Sequence, residues 1–230
     1  MIKIFSTYTK DEIHNQDSDL RIVRNGGPAF FIENVFKENK IKYEITSQKA
    51  VIEIKVKNEI EKGFLKNKLK VRSIKNIKNS DLIVISTVDN EWVPDIKSSD
   101  KAQIFLDVQG YVRSARKNQK IYKAGFWNNI FCLKTNDQEI KELPKETINK
   151  QKNKCLIMTR GSRGAVVYFK NKKHIFTAKK IKSRDTIGAG DTFFASFITG
   201  FIKSKGNIEK SGKFAIKEAE KFLLSKKSDL

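Results

Sequence analysis

The stretch that decides the fold is Asp185-Thr186-Ile187-Gly188-Ala189-Gly190-Asp191-Thr192, followed directly by the largely apolar residues 193–198. The apolar residues predict a buried helix, so the two glycines stand at its N-terminus. Free backbone N–H groups and the positive end of the helix dipole make such a terminus an anion site. Glycine and alanine also let phosphate oxygens approach the backbone closely. The stretch therefore predicts a phosphate-binding turn.

Asp191 enters the first turn of this predicted helix. Its carboxylate can serve as a plain N-terminal cap, which is a common role for acidic residues there. It can also take a proton from a hydroxyl group while the neighbouring N–H groups hold a transferring phosphoryl group. The residues by themselves leave both interpretations open.

The rest of the chain alternates between short apolar runs and helical segments. Four continuous apolar runs are typical of buried parallel strands, and they lie at Leu82–Ser86, 104–108, 129–133 and Cys155–Thr159. Further strands are predicted at 2–6, 43–45, 51–56 and in a hairpin of Ala165–Phe169 with 174–176. Helices are predicted at 28–36, from 139 onward, after Asp191 and at 214–224. This alternation predicts an α/β fold with an open, mainly parallel sheet covered by helices on both faces.

Polar or glycine-containing segments follow three of the predicted parallel strands, at 107–110, 136–139 and 160–164. Ligands of open α/β sheets bind beyond the carboxyl ends of the strands. We therefore expect the functional site to be built from these segments.

Composition excludes several classes of protein. The chain has 230 residues, of which 39% are hydrophobic, and that is too apolar for a disordered chain. Two cysteines exclude a disulfide scaffold, and no Cys/His cluster suggests a zinc site. No apolar run reaches the ~18 residues that span a bilayer, and the first residues do not resemble a signal peptide. These features predict a soluble, cytoplasmic protein with free thiols and no membrane partner.

The charge is strongly positive, with 47 Lys and Arg against 26 Asp and Glu, a formal net charge of +21. Such an excess is the electrostatic footprint of a nucleic-acid-binding protein. Only 8 of the basic residues are Arg, however, and the lysines are spread along the whole chain. Nucleic-acid sites favour Arg, whose planar fork grips phosphates and base edges. The pattern favours a lysine-rich solvated surface, and a polyanionic partner remains the alternative.

Residues 185–193, with the sequence Asp-Thr-Ile-Gly-Ala-Gly-Asp-Thr-Phe, resemble the C-terminal signature of the ribokinase-like (PfkB) carbohydrate and nucleoside kinases. The resemblance implies that Asp191 is the base that activates the acceptor hydroxyl. It also implies that the backbone amides of Gly188, Ala189 and Gly190 form the anion hole. The expected activity is ATP-dependent phosphorylation of a hydroxyl group on a small sugar, polyol or nucleoside.

The same resemblance implies ATP and Mg²⁺ as cofactors, with Thr186 at the nucleotide. It implies one domain over residues 1–230 that acts as a monomer or homodimer. The chain is shorter than members of this family commonly are, and the missing length is expected between residues 43 and 80. The lid strands that remain are expected within 12–57.

Two further segments resemble nucleotide-binding motifs of the family. Asn136 and Glu139 match the Asn-x-x-Glu motif that organises Mg²⁺ and the phosphates, although this spacing is also that of an ordinary capping box. Thr159, Gly161 and Gly164 match the nucleotide-binding strand and turn. Their alternative is a glycine-rich hairpin turn without a ligand.

The N-terminal half resembles the family more weakly. Gly26 and Gly27 match paired glycines that approach the substrate, and Asp11 occupies the place of an early substrate-binding aspartate. An ionised carboxylate would accept hydrogen bonds from substrate hydroxyls, but Asp11 can equally be a surface loop acid. Gln109 and Arg113 belong to a segment found in a subgroup of sugar, nucleoside and inositol kinases, and they are expected near the acceptor.

Two other kinase classes are excluded, because the sequence has neither a P-loop nor the catalytic motifs of protein kinases. Two alternatives to a small-molecule kinase remain. One is a non-catalytic nucleotide- or metabolite-binding module, and the other is a basic nucleic-acid-binding protein on the same fold.

Overall fold

A computed structural model describes residues 1–17, 19–57, 60–75, 77, 81–94, 102–113, 127–181, 183 and 185–226. Within these residues the strands are β1 (Ile2–Asn15), β2 (Leu20–Gly26), β3 (Tyr43–Lys57), β4 (Ile60–Leu65), β5 (Arg72–Ile74), β6 (Leu82–Ser86), β7 (Trp92–Pro94), β8 (Gln103–Asp107), β9 (Ile130–Asn136), β10 (Cys155–Thr159), β11 (Ala165–Phe169) and β12 (Lys172–Phe176). The helices are α1 (Gly27–Glu38), α2 (Gln109–Val112), α3 (Lys145–Asn153), α4 (Ala189–Lys203) and α5 (Ile208–Ser225).

Ten strands form one sheet in the order β12-β11-β10-β9-β8-β6-β1-β3-β4, with β2 paired to β1. The six strands from β10 to β3 in this order are mutually parallel, and the outer hairpins are antiparallel. β5 and β7 form a separate parallel pair. The four predicted buried strands are all present, and the predicted α/β fold with a mainly parallel sheet is confirmed.

Alternate residues of the central strands face two separate cores, as the period of two in a strand requires. Val84 and Phe105 pack on one face with α1, α4 and α5. Ile83 and Leu106 pack on the other face with α2, α3 and the β5–β7 pair. Both faces of the sheet are therefore covered, which explains why its strands are apolar without alternation.

The first strand is much longer than the sequence predicted. β1 continues from residue 7 to Asn15 through a polar segment, and the predicted strands at 43–45 and 51–56 are one strand, β3. Residues 9–15 pair with β2 on one side and with β3 on the other. Two-sided pairing satisfies the backbone of this segment, so a ladder forms in spite of its polar composition.

The far ends of these strands form a four-stranded extension, which consists of β2, residues 9–15 of β1, residues 52–57 of β3, and β4. Ile13, Ile54 and Val56 form a small core on one face of the extension. Ile187, from the glycine-rich stretch before α4, packs against that core. The extension therefore touches the predicted phosphate-binding turn.

Two predicted helices have different bounds in the structure. The helix expected from residue 139 is a short 3₁₀ turn, Glu139–Glu142, and α3 begins only after Pro144. Proline restricts the preceding residue to extended backbone, as seen at Leu143. α5 begins earlier than predicted, because Asn207 caps it by accepting a hydrogen bond from the Lys210 amide at 3.0 Å.

Cys132 and Cys155 lie side by side on β9 and β10 as buried free thiols, with 3.0 Å between their sulfur atoms.

Among the helices of the described residues, none combines the length and the apolar character that a bilayer crossing requires.

Phe197 tests the packing of α4 on the sheet, because it is completely buried in the core on that face. Phe197→Ala should lower the free energy of unfolding by about 3–5 kcal/mol, measured by urea denaturation. Leu224→Ala removes an apolar side chain that is 54% exposed. It should change the free energy of unfolding by less than about 0.5 kcal/mol. Equal effects of the two substitutions would contradict this packing.

Candidate functional site

A cavity of about 960 Å³ lies at the carboxyl ends of the parallel strands. Its wall is built from the N-terminus of α4, from the C-terminal end of β9, from the segments after β6, β8 and β10, and from the extension. The cavity is lined by every residue that the sequence singled out for the site except Gly26 and Glu139, which contact lining residues from behind. The expected position at the strand ends is thus where these residues meet.

The glycine-rich stretch 185–190, which we call the signature loop, ends in a left-handed turn at Gly188, whose φ is +89°. A Cβ atom at this position would overlap the ring of Phe31 from α1, so only glycine fits without movement. The Ala189 amide donates to the Thr186 carbonyl at 3.1 Å. Within the described part of the chain, the amides of Gly188, Gly190 and Asp191 have no hydrogen-bond acceptor. The positive end of α4 is therefore open toward the cavity.

Asp191 does not cap α4. The N-cap position is Gly188, and no side chain caps this helix. Instead, Oδ1 of Asp191 accepts a hydrogen bond from Nε2 of Gln109 at 3.1 Å. Burial raises the pKa of Asp191 to about 7, and the charge of Asp107 adds to this, against the opposing effects of Lys134, Arg113 and Gln109. A carboxyl group with such a pKa can accept a proton near neutral pH.

A buried ion pair that the sequence analysis missed lies next to this helix terminus. Nζ of Lys134 on β9 donates to Oδ2 of Asp107 on β8 at 2.7 Å, and both side chains are at least 96% buried. Burial alone lowers the pKa of Lys134, but the charges of Asp107, Glu139 and Asp191 outweigh it, and the net shift is upward. Lys134 therefore stays charged. The available signal was a lysine that directly follows an apolar run within one strand, β9.

The Lys134 ammonium lies next to the signature loop, because a Cβ atom at Gly190 would be 3.4 Å from its Nζ. Asp107 also accepts a hydrogen bond from the Gln109 amide at 3.1 Å, which shapes the turn that carries Gln109 toward Asp191. Through Asp107, the ammonium of Lys134 is therefore connected to Gln109, which bonds Asp191.

Asn136 and Glu139 exchange the reciprocal hydrogen bonds of a capping box. Oδ1 of Asn136 accepts from the Glu139 amide at 2.9 Å, and Oε2 of Glu139 accepts from the Asn136 amide at 3.0 Å. The other carboxylate oxygen, Oε1, forms an ion pair of 2.5 Å with Arg113. The capping alternative is therefore realised, and the same contacts hold Arg113 at the wall of the cavity.

Among the described residues, no group of three or more His, Cys, Asp and Glu side chains could hold a metal ion. The side-chain oxygen of Asn136 and one oxygen of Glu139 already accept hydrogen bonds from backbone amides, and the other oxygen of Glu139 pairs with Arg113. This donor set fits a Mg²⁺ ion that is bound mainly by phosphate oxygens and water, as this small cation commonly is.

Asp11, which also lines the cavity, is 2% exposed in β1 and is not a surface loop acid. It accepts a short hydrogen bond from the hydroxyl of Thr9, and burial raises its pKa. A side chain at Gly26 would overlap its carboxylate. Thr87, after β6, also lines the cavity, and its buried hydroxyl has no partner among the described residues. An unpaired buried hydroxyl of this kind can bind a polar ligand group.

The third part of the cavity combines a glycine turn with an apolar wall. The turn Gly161–Arg163 joins β10 to β11 as a hairpin, and Thr159, Gly161 and Gly164 line the cavity. Gly164, with a φ of +81°, approaches the Phe176 carbonyl so closely that a Cβ atom would overlap it. The apolar wall consists of Ile181, Ile216, Ala219 and Leu223.

The sequence of residues 37–227 matches the family model described as pfkB family carbohydrate kinase. The chain belongs to this family. It is 31% identical over 105 residues to the probable fructokinase-5 of Arabidopsis thaliana, an alignment that covers 42% of this chain and 32% of the relative. It is 43% identical over 59 residues to the nucleoside kinase of Methanocaldococcus jannaschii, covering 25% of this chain and 19% of the relative. The aligned parts thus span a third or less of these curated relatives.

The fold of this pfkB-family chain is similar to that of a pyrophosphate-dependent kinase in the ribokinase family, solved with a pyrophosphate analog and myo-inositol. The superposition has a TM-score of 0.72 and covers 97% of this chain and 95% of the other, at 17% identity. At that identity the likeness concerns the fold. The family and the ribokinase-like fold that the signature predicted are confirmed.

Asp191→Asn should raise the melting temperature more at pH 8 than at pH 5. The folded-state pKa of about 7 lies above the unfolded value of ~3.9, so folding takes up a proton between these values. The free energy of unfolding therefore falls as the pH rises through 7, because Asp191 must then carry a buried charge. The neutral amide of Asn carries no such charge, so the variant does not lose this stability. Asp19→Asn is the control, since the pKa of Asp19 is lowered through its hydrogen bond to His14. A gain at Asp191 that does not depend on pH would contradict the raised pKa.

Gly188→Ala should destabilise the protein by about 2–4 kcal/mol, because it combines a positive φ with overlap of the Phe31 ring. Gly161→Ala also has a positive φ, of +55°, but no atom lies within 4 Å of the added Cβ. It should cost about 1–2 kcal/mol in the same urea titration. Equal losses of unfolding free energy in the two variants would show that the ring of Phe31 does not restrict the residue at position 188.

Proposed function

We propose that the chain transfers a phosphoryl group from ATP to a hydroxyl group of a small sugar, polyol or nucleoside. One observation carries the proposal: Asp191 has a pKa near neutrality, caps nothing, and stands on the same helix turn as the open amides of Gly188 and Gly190. A proton acceptor beside an anion hole is what transfer to a hydroxyl requires.

Asp191 acts as the general base in this proposal. Gln109 holds its Oδ1, which leaves the other carboxylate oxygen to take the proton of the acceptor hydroxyl. The hydroxyl oxygen then attacks the terminal phosphorus in line, and the leaving group departs on the opposite side. Amides at the start of α4 and the Lys134 ammonium beside them balance the charge of the transferred group.

The acceptor binds at the end of the cavity that holds Asp11. The buried carboxylate of Asp11 accepts hydrogen bonds from two or more substrate hydroxyls. Because Gly26 and Gly27 carry no side chain, their backbone packs closely against Asp11 and Thr9, and Gly27 lines the cavity beside them. Thr87 supplies its unpaired hydroxyl, and Arg113 stays fixed by Glu139 at the rim.

The nucleotide binds at the end formed by α5 and the β10–β11 hairpin. Its base fits the apolar wall, while Thr159, Gly161, Gly164 and Thr186 lie along the path of the ribose and phosphates. Mg²⁺, when bound with the phosphates, neutralises part of their charge. Glu139 and Asn136 would hold it through water, since their own oxygen donors are engaged.

The four-stranded extension is the lid of this site, within a single domain over residues 1–230. Ile52, Ile54 and Phe64 line the cavity from above the strand ends. An apolar cover of this kind excludes water, which would otherwise compete with the acceptor for the phosphoryl group. In this proposal the lid strands lie within the expected range 12–57 except for residues 9–11 and β4.

The proposal is tested by measuring ADP release with Mg·ATP against a panel of sugars, polyols and nucleosides. At least one acceptor should raise the rate well above ATP hydrolysis in water, and Asp191→Asn should lower kcat by ~10²–10⁴-fold. Glu209→Gln, which alters only the exposed pair with His174, should leave the rate unchanged.

Pyrophosphate belongs in the same panel as an alternative donor, because a structural relative is described as pyrophosphate-dependent. Turnover with pyrophosphate alone would replace ATP in the proposal. Tight nucleotide binding without turnover of any acceptor would contradict it and would leave the non-catalytic binding module. The family match does not favour a nucleic-acid-binding function.

A further inference from the structure

Lys226, just beyond the end of α5, places its ammonium against the back of the signature loop. Nζ donates to Oδ2 of Asp185 at 2.8 Å and to the carbonyl oxygen of Ile187 at 2.6 Å. It also lies 4.8 Å from the ring centroid of Phe222 and 5.9 Å from that of Phe31. The side chain is only 13% exposed. A carboxylate, a carbonyl and two ring faces form a cation site, and the chain fills it with its own lysine.

The contact with the Ile187 carbonyl fixes the direction of an amide in the anion hole. The Ile187 carbonyl and the Gly188 N–H belong to one planar trans peptide unit, so they point in opposite directions. Because Lys226 holds the carbonyl behind the loop, the N–H is directed away from Lys226. Gly188 lines the cavity, and its N–H has no acceptor among the described residues.

Asp185 supports the preceding peptide unit of the loop, which joins Thr186 to Ile187. Its Oδ1 accepts from the Ile187 amide at 3.0 Å, and its Oδ2 is shared by Lys226 and Arg24 of β2. These two cations hold the pKa of Asp185 below its usual value in spite of burial, so it stays ionised. Arg24 bonds the carboxylate of Asp185, whereas Lys226 bonds both this carboxylate and the carbonyl oxygen of the peptide that joins Ile187 to Gly188. Lys226 is thus placed to set the orientation of this peptide.

We propose that Lys226 is a positioning residue whose ammonium acts as a built-in monovalent cation and aims the Gly188 amide at the phosphoryl donor. The proposal rests on the proposed function for the identity of the anion. It has a direct consequence: donor binding by the natural protein needs no added monovalent cation, whereas a protein without this ammonium becomes dependent on one.

The test compares Lys226→Met, which keeps the apolar stem over Phe222, with the natural protein. Affinity for inorganic pyrophosphate and for a non-hydrolysable Mg·ATP analogue is measured by calorimetry, with tetramethylammonium as the monovalent cation, because it is too large for the site. Lys226→Met should weaken binding about tenfold, the size expected for a lost charged hydrogen bond. Added K⁺ or NH₄⁺ should restore most of the loss in this variant and leave the natural protein unchanged.

Two further variants separate positioning from general helix stability. Lys226→Arg keeps the charge and should retain most of the affinity. Lys221→Met removes a lysine of the same helix that is 69% exposed beside Glu38, and should bind like the natural protein. A Lys226→Met protein that binds normally, or a loss that neither small cations nor arginine recover, would overturn the proposal. Strengthening of the natural protein by K⁺ would overturn it as well.

Hydrogen exchange in the ligand-free protein keeps this proposal separate from the proposed function. The Ile187 amide is protected by Asp185, so peptides covering the signature loop should exchange faster in Lys226→Met and recover with K⁺ or NH₄⁺. If the natural protein binds neither pyrophosphate nor the nucleotide analogue, the proposed function fails, and the exchange result still decides the role of Lys226. Unchanged exchange in Lys226→Met would overturn that role.

Discussion

The cleft depends on the buried ion pair between Lys134 and Asp107. An unpaired charge at this depth would be strongly destabilising, and each member makes the other tolerable. The same carboxylate shapes the turn that brings Gln109 to Asp191, and the ammonium lies next to the signature loop. Removing either partner would therefore disturb several contacts at once. The ammonium of Lys134 also offsets the charge of Asp191 at this helix terminus.

The signature loop is held in place by parts of the chain that are far apart in sequence. Arg24 of the extension and Lys226 after α5 bond Asp185, and Phe31 of α1 packs against Gly188. Ile187 of the loop packs in turn on the small core of the extension. Because the loop is in contact with the extension, the sheet and two helices, its shape is a property of the whole fold. A change in any of these elements would therefore shift the open amides of Gly188 and Gly190.

Much of the parallel sheet could be predicted, because strands buried on both faces are continuous apolar runs that are visible in the sequence. The extension could not, since residues 7–15 are polar and their strand exists only because β2 and β3 pair with them. Asp11 shows the same effect within the site. Its sequence context allowed a surface acid, and only the pairing of β1 places it almost completely inside the protein.

The sequence by itself determined that a glycine turn at 188–190 precedes an apolar helix, because this pattern is local and the first amides of a helix have no acceptor within the helix. The shape of the turn also depends on distant contacts, from Lys226 to Ile187 and from Phe31 to Gly188. The sequence also determined the family, through the same short signature. Only the tertiary structure decided the chemical character of Asp191, the charge of Lys134 and the burial of Asp11. Those properties arise from desolvation and from charges brought together across many residues of chain, and neither is encoded in local spacing.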